Sequence, residues 1–405
     1  MADVLSPRII LIRSPEDAAR EMRKVGVSEG GIRAMAGKAQ TVVIKIAEVN
    51  IPTAHILKQQ MLSIGGDAAV AKDVLTHEVD STDVLLMGTS TQMASLVQKL
   101  SYQPFDLPSL GRSLATLLDS FAPRPRTILR ARNHSLDLGR RVHIMGILNV
   151  TPDSFSDGGT YMRPSEAVEH ALAMIDEGAD IIDVGGQSSR PGAKPIPVDE
   201  ELKRAVPVVD RLRDVWKGPI SIDTCRALVA EEALKAGAAM VNDITAFRED
   251  PPIGQVVARF DAACVLMHMR GTPDTMQENP EYGDLMGEIA LFLRSAVETA
   301  RGAGIDDDQI VVDPGIGFGK ATEHNLAILR HLPELAVLGK PIMVGPSRKS
   351  FIGRVLDLPV DDRLEGTLAA AAYAVAQGAR LLRVHEVRPI LRAARMVEAC
   401  LSSPA

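Results

Sequence analysis

From residue 143 onward the chain reads HIMGILNV (143–150), then DIIDVG (180–185), PISID (219–223), MVNDI (240–244), ACVLMH (263–268), QIVVD (309–313), PIMVG (341–345) and LLRVH (381–385). Each run is short and mostly apolar, with a polar group at or near the end of most, as expected of a strand buried on both faces. Between the runs lie amphipathic stretches. Val168, Leu172 and Ile175 form one apolar stripe, and Leu285, Ile289, Phe292, Leu293, Ala296, Val297 and Ala300 form a longer one at helical spacing. Eight strand–helix units over about 260 residues match a (β/α)8 TIM barrel. An open doubly wound sheet is the competing architecture, but no Gly-x-Gly-x-x-Gly turn follows the first run.

The remainder of the 405 residues reads as a smaller α/β domain ahead of the barrel. Residues 8–13 (RIILIR), 41–49 (TVVIKIAEV) and 82–87 (TDVLLM) have strand character. Helical patterns cover residues 15–25, opening after the capping residue Ser14, and residues 53–64 and 109–121. Residues 122–132 carry Pro123, Pro125 and clustered arginines, and read as part of a solvated linker. The expected division is an α/β domain at 1–121, a linker at 122–140 and the catalytic barrel at 141–402. Gly65, Gly66 and Gly88 end elements in the first domain without suggesting a chemistry.

Composition narrows the function classes. Apolar residues make up 46% of the chain, enough for a sizeable core. Forty-five basic against 52 acidic residues leave a net charge of −7, which argues against a dedicated nucleic-acid binder. Cys225, Cys264 and Cys400 are too few and too scattered for a disulfide framework or a zinc module. The longest uncharged apolar stretch, residues 366–379, is short of the roughly 18 residues of a spanning helix. A protein of the cytoplasm, with no membrane or nucleic-acid partner, is expected.

Barrel enzymes carry their chemistry where strands end. Here those ends supply Asn149, Asp183, Asp223, Asn242 with Asp243, His268, Asp313, the triplet Ser347-Arg348-Lys349, and Arg383 with His385. A single such residue is more often a local hydrogen bonder; a full ring on one rim is hard to produce by chance. Asp183, Asp223, Asn242 and Asp313 suit the paired N–H groups of a polar heterocycle, which a carboxylate binds as it binds a guanidinium. Arg190, Arg348, Lys349, Arg383 and His385 suit an anion such as pyrophosphate. Long loops after the first two strands, residues 149–159 and 185–192, are placed to cover such a ligand.

The strings GILNVTPDSFSDGG (146–159), IDVGGQSSRPGA (182–193), SIDT (221–224), VNDI (241–244), MHMRGTP (267–273), DPGIGFGK (313–320), GPSRKSFIG (345–353) and RVHEV (383–387) resemble dihydropteroate synthase. Eight motifs in order across the whole barrel make the resemblance specific. It implies condensation of 6-hydroxymethyl-7,8-dihydropterin pyrophosphate with p-aminobenzoate, giving 7,8-dihydropteroate and pyrophosphate in folate biosynthesis. By matching positions, Asp223, Asn242, Asp313 and Lys349 would bind the pterin, and Asn149 would hold the Mg²⁺ that carries the pyrophosphate. Ser188, Arg190, Arg383 and His385 would bind the pyrophosphate. Phe155, Ser189, Arg190, Pro191, Phe318 and Lys349 would shape the p-aminobenzoate pocket. Asp183, Asp313, Arg190 and Lys349 would be the catalytic set, with the acids stabilising a pterin cation. A homodimer is also implied.

The sequence departs from that pattern at Gln187 (usually Glu), Ser189 (usually Thr) and Glu386 (usually Asp), none of them assigned to pterin or metal. The residues leave two other readings open. A methyltetrahydrofolate–corrinoid methyltransferase would need the acid–amide group but not the cationic one. A non-catalytic pterin-binding paralogue draws support only from Gln187.

Overall fold

The computed structural model describes residues 9, 10, 12, 14–74, 79–121, 127–151, 163–188, 195–271, 276 and 280–402. The chain forms two compact units, Met1–Ala122 and Pro123–Ala405. In the first, an antiparallel sheet of Thr41–Asn50, Ser81–Thr89 and Asp67–Ala69 has the longest-spaced strand pair side by side, with Ser81–Thr89 central. Helices Ile51–Ser63, Ser90–Leu100 and Leu107–Phe121 bury Leu57, Met61, Met93, Leu96 and Leu114 in one core with Val84 and Leu86 of the central strand. Helix Pro15–Val25 starts as expected, with the Ser14 hydroxyl accepting from the Asp17 N–H. Residues 9, 10 and 12 carry no strand; the rest of the 8–13 run lies outside the described residues.

The second unit is the expected barrel. Its parallel strands are His143–Asn149, Ile181–Gly185, Ile220–Asp223, Met240–Asp243, Ala263–Met267, Ile310–Asp313, Met343–Val344 and Leu381–Val384. Each pairs with its sequence neighbour, the eighth pairs with the first, and a parallel bridge between Val312 and Ile342 completes the ring.

Strand periodicity then sorts the side chains. One parity (Ile144, Ile182, Ile222, Val241, Leu266, Val312, Leu382) packs outward against the helices in one large core. The other parity (Met145, Ile181, Met240, Val265, Val311, Met343, Leu381) fills the barrel interior. Two residues further along the strands stand Ile147, Asp183, Asn242, Met267, Asp313, Gly345 and Arg383. The apolar layer is therefore the floor on which the polar layer rests.

Residues 127–140, the described part of the stretch expected to be a solvated linker, are packed instead. Ile128–Ala131 and His134–Asp137 form an antiparallel hairpin. Leu129, Ala131 and Leu138 are buried in the same cluster as Met145 and Ile181, so the hairpin closes the barrel's N-terminal end. Its arginines are used structurally. Arg130 pairs with Asp261, Asp306 and Asp308, and Arg132 donates to the carbonyls of Leu234 and Ala238, both at 2.8 Å. Charge clusters usually signal solvent, but here the carboxylates and carbonyls that meet them come from distant turns. Leu129→Ala is expected to cost about 2–4 kcal/mol, lowering the urea midpoint at unchanged slope. An unshifted midpoint would return the segment to the status of a linker.

Candidate active site

The polar layer lines a cavity of about 840 Å³ at the C-terminal end of the barrel. Arg383 is one of its lining residues. Its Nε donates to Asp183 Oδ2 and its Nη2 to Asp223 Oδ2, both at 2.6 Å. Asn242 Nδ2 donates to the same Asp183 oxygen at 2.9 Å. Asp183 Oδ1 and Ser221 Oγ are buried without a hydrogen-bond partner among the described residues. Burial opposes the charge on Arg383, but Asp183 and Asp223 outweigh it and hold the guanidinium above its ordinary value. Burial raises the Asp223 carboxyl, and the Arg383 pairing pulls it back.

Asp313 takes the N–H of Gly315 at 2.7 Å, and burial still lifts its carboxyl to about 6. Lys349 reaches in from the loop after the neighbouring seventh strand, its Nζ 3.9 Å from the centroid of the Phe318 ring. Burial, reinforced by Arg383, brings its ammonium down to about 8. Gly317, at φ +84°, lets the lysine pass; a Cβ there would lie 2.8 Å from Lys349 Cδ. Toward the mouth, Ser347 Oγ and His385 Nδ1 are 2.9 Å apart, and Arg348 Nε donates to Glu386 Oε1 at 2.5 Å. Asn149, Thr151 and Ser188 complete the rim, with Asn149 Oδ1 facing Gly185.

Of the residues singled out in the sequence, Asn149, Ser188, Asn242, Asp313, Phe318, Lys349, Arg383 and His385 line this one cavity, and Asp183 and Asp223 are bound to it through Arg383. Phe155, Ser189, Arg190 and Pro191 lie outside the described residues. Arg383, read as an anion donor, is committed to two carboxylates and so serves both halves of the site. Two members of the ring turn away. Asp243 caps its own loop, accepting from Thr245 N and Phe247 N. His268 packs edge-on against Phe292 of the surrounding helix Leu285–Gly302. Both have the outward parity, and Asn242 and Met267 beside them face in.

Lys320 went unnoticed in the sequence. It is 2% exposed, and its Nζ lies 2.9 Å from His268 Nδ1 and donates to the carbonyls of Phe318 and His268 at 2.8 and 3.2 Å. Burial brings the lysine down to about 7 and, with the lysine's own charge, holds His268 down to about 2. The pair fixes the glycine loop that presents Phe318. No periodicity marks a lysine buried in a loop, so only the motif GFGK pointed at it.

Gln187 Oε1 accepts from Ile196 N at 3.3 Å, a bond a carboxylate would make equally well. Gln187→Glu is therefore expected to leave turnover within about threefold of the parent. A complete loss would assign the amide a role beyond this bond.

A model of the family described as pterin binding enzymes matches residues 145–385. Dihydropteroate synthase of a Synechocystis species is 50% identical over 264 residues, 65% of this chain and 91% of that one. A probable bifunctional folylpolyglutamate synthase/dihydropteroate synthase of Halobacterium salinarum is 38% identical over 389 residues, 96% of this chain and 46% of that one, so its likeness extends through the first unit. A crystal structure of Yersinia pestis dihydropteroate synthase in a sulfonamide drug complex superposes with a TM-score of 0.65 at 43% identity, covering 68% of this chain and all of that one.

Proposed function

The chain belongs to the dihydropteroate synthase family of pterin-binding enzymes, and on that footing we propose how its barrel carries out the condensation. The enzyme is a transferase of folate biosynthesis. It joins 6-hydroxymethyl-7,8-dihydropterin pyrophosphate to p-aminobenzoate and releases pyrophosphate.

In this reading Asp223, Asn242, Asp313 and Lys349 grip the pterin. The carboxylates take ring N–H groups in two-point contacts, and the amide and ammonium take the remaining polar edge. The observation that carries the reading is the Asp183–Arg383–Asp223 bridge on the cavity floor, beside Asn242 and below the cations of the mouth. Ionisation of the methylene C–O bond leaves the electron pair on the diphosphate oxygen. The resulting positive charge, spread over the pterin ring, is stabilised by Asp183, Asp223 and Asp313. His385 and Ser188 at the mouth face the departing diphosphate, and Arg383 adds positive charge beneath it. The arylamine nitrogen then attacks the methylene carbon and loses its proton to solvent. An arylamine is already neutral near pH 7, so the site needs no strong general base.

Among the described residues no cluster of three His, Cys, Asp or Glu could cage a metal. The single amide oxygen of Asn149 on the rim fits Mg²⁺ that arrives on the diphosphate and takes most ligands from it. Held by Asn149 and the substrate oxygens, the ion would supply positive charge at the leaving group.

A homodimer and a cytoplasmic location belong to the same proposal. Tyr373, Met396 and Leu401 are exposed apolar side chains on the two C-terminal helices, and Cys225 and Cys264 are buried free thiols suited to a reducing compartment. Light scattering tests the first point, and a monomer across working concentrations would contradict it.

Gripping the ring requires Asp313 as carboxylate and Lys349 as ammonium. The first is lost as pH falls through about 6, the second as pH rises through about 8. The pterin kcat/KM is therefore expected to be bell-shaped with those limbs; a profile flat across both would refute the two roles. The activity itself is tested by mixing the pure chain, Mg²⁺, the pterin pyrophosphate and p-aminobenzoate. Equal amounts of pyrophosphate and dihydropteroate should form, and no product above background would overturn the function.

A further inference from the structure

We infer that Arg363, through a clamp on the main chain, is a positioning residue for Lys349; this rests on the reading of Lys349 as a pterin ligand. Lys349 follows Arg348, whose φ of +54° lies in the left-handed region that a bulky residue adopts only under constraint. The constraint comes from the first turn of helix Leu364–Ala376 and the residue before it. Thr367 Oγ1, fully buried, accepts from Arg348 N at 3.1 Å. Arg363 Nη1 donates to the carbonyls of Arg348 and Lys349 at 3.0 and 3.4 Å. Both sides of the strained residue are thereby held by one helical turn.

The remaining donors of Arg363 anchor the clamp. Nε and Nη2 donate to the carbonyl of Leu358 at 3.3 and 3.2 Å. All four bonds go to main-chain carbonyls, so this cation is spent on orienting backbone. Gly353 is part of the design. A Cβ built there would lie 2.3 Å from Arg363 Nη2, and any larger residue would push the guanidinium off its carbonyls. A side chain on the cavity wall that touches the Lys349 main chain, and reaches its ammonium only through it, sets the aim of the ammonium.

Calorimetric titration of 6-hydroxymethyl-7,8-dihydropterin pyrophosphate, without p-aminobenzoate, tests this in four proteins: the parent, Arg363→Met, Lys349→Met and the double variant. Charge-assisted bonds of this kind are worth about 10–100-fold in affinity, and Arg363→Met is expected to weaken binding by that factor. The same change in the Lys349→Met background should cost less than about threefold, because the group being aimed is gone. A simple structural role would give losses that multiply. Gly353→Ala should reproduce the Arg363→Met loss while favouring the helix by propensity, so it carries the test if Arg363→Met does not fold. Multiplying losses, or parent-like binding by Arg363→Met or Gly353→Ala beside a weakened Lys349→Met, would overturn the clamp alone. Parent-like binding by Lys349→Met would overturn the reading of Lys349 and the clamp with it.

Discussion

Lys349→Ala is expected to lower kcat/KM by about a thousandfold, near 4 kcal/mol of transition-state stabilisation, with the fold intact. The ammonium lies beside Phe318, interacts electrostatically with Asp313 and Asp223, and lines the cavity proposed to hold the pterin. Its removal takes away a cation whose burial already disfavours its charge, so folding has little to lose. Turnover and the thermal midpoint, measured together, separate the two effects. Near-normal turnover would refute the placement of Lys349, and a collapsed midpoint would make it structural.

Arg383→Met should damage both fold and activity. Asp183 is fully buried and Asp223 nearly so, and the guanidinium is their shared counter-charge. Breaking such a pair from one side costs about 3–5 kcal/mol. In a barrel of this size that is a drop in Tm on the order of 10 °C. Without Arg383 the buried Asp223 carboxyl would bind a proton more readily folded than unfolded, so the deficit should shrink as pH falls. Arg383→Met/Asp183→Asn should recover part of the stability and none of the turnover. An unchanged midpoint for the single variant would mean that the bridge contributes little.

The barrel was legible because parallel strands buried on both faces leave unbroken apolar runs, and these alternate with helical stripes. The site was legible for a related reason. A residue two places beyond an interior apolar one must share its parity, so Asp183 follows Ile181, Asn242 follows Met240 and Asp313 follows Val311 on one wall. By the same rule His268 and Asp243, each one place past an inward-facing residue, fall outside the ring although they end their runs. Parity gave no help with Lys320 or Arg363. Both act from loops or helix starts through main-chain carbonyls, and a sequence does not show which carbonyl a cation will find. The hairpin at residues 128–137 was hidden because its arginines meet acids more than 100 positions away.

The central claim is one of place: the acid–amide floor takes the bicyclic ring and the cations at the mouth take the diphosphate. A crystal structure of the chain soaked with the pterin pyrophosphate tests it most directly. The ring should lie against Asp223, Asn242, Asp313 and Lys349, with the phosphates toward Asn149, Ser188 and His385. A ring bound elsewhere, or bound with the phosphates on the barrel floor, would contradict the account.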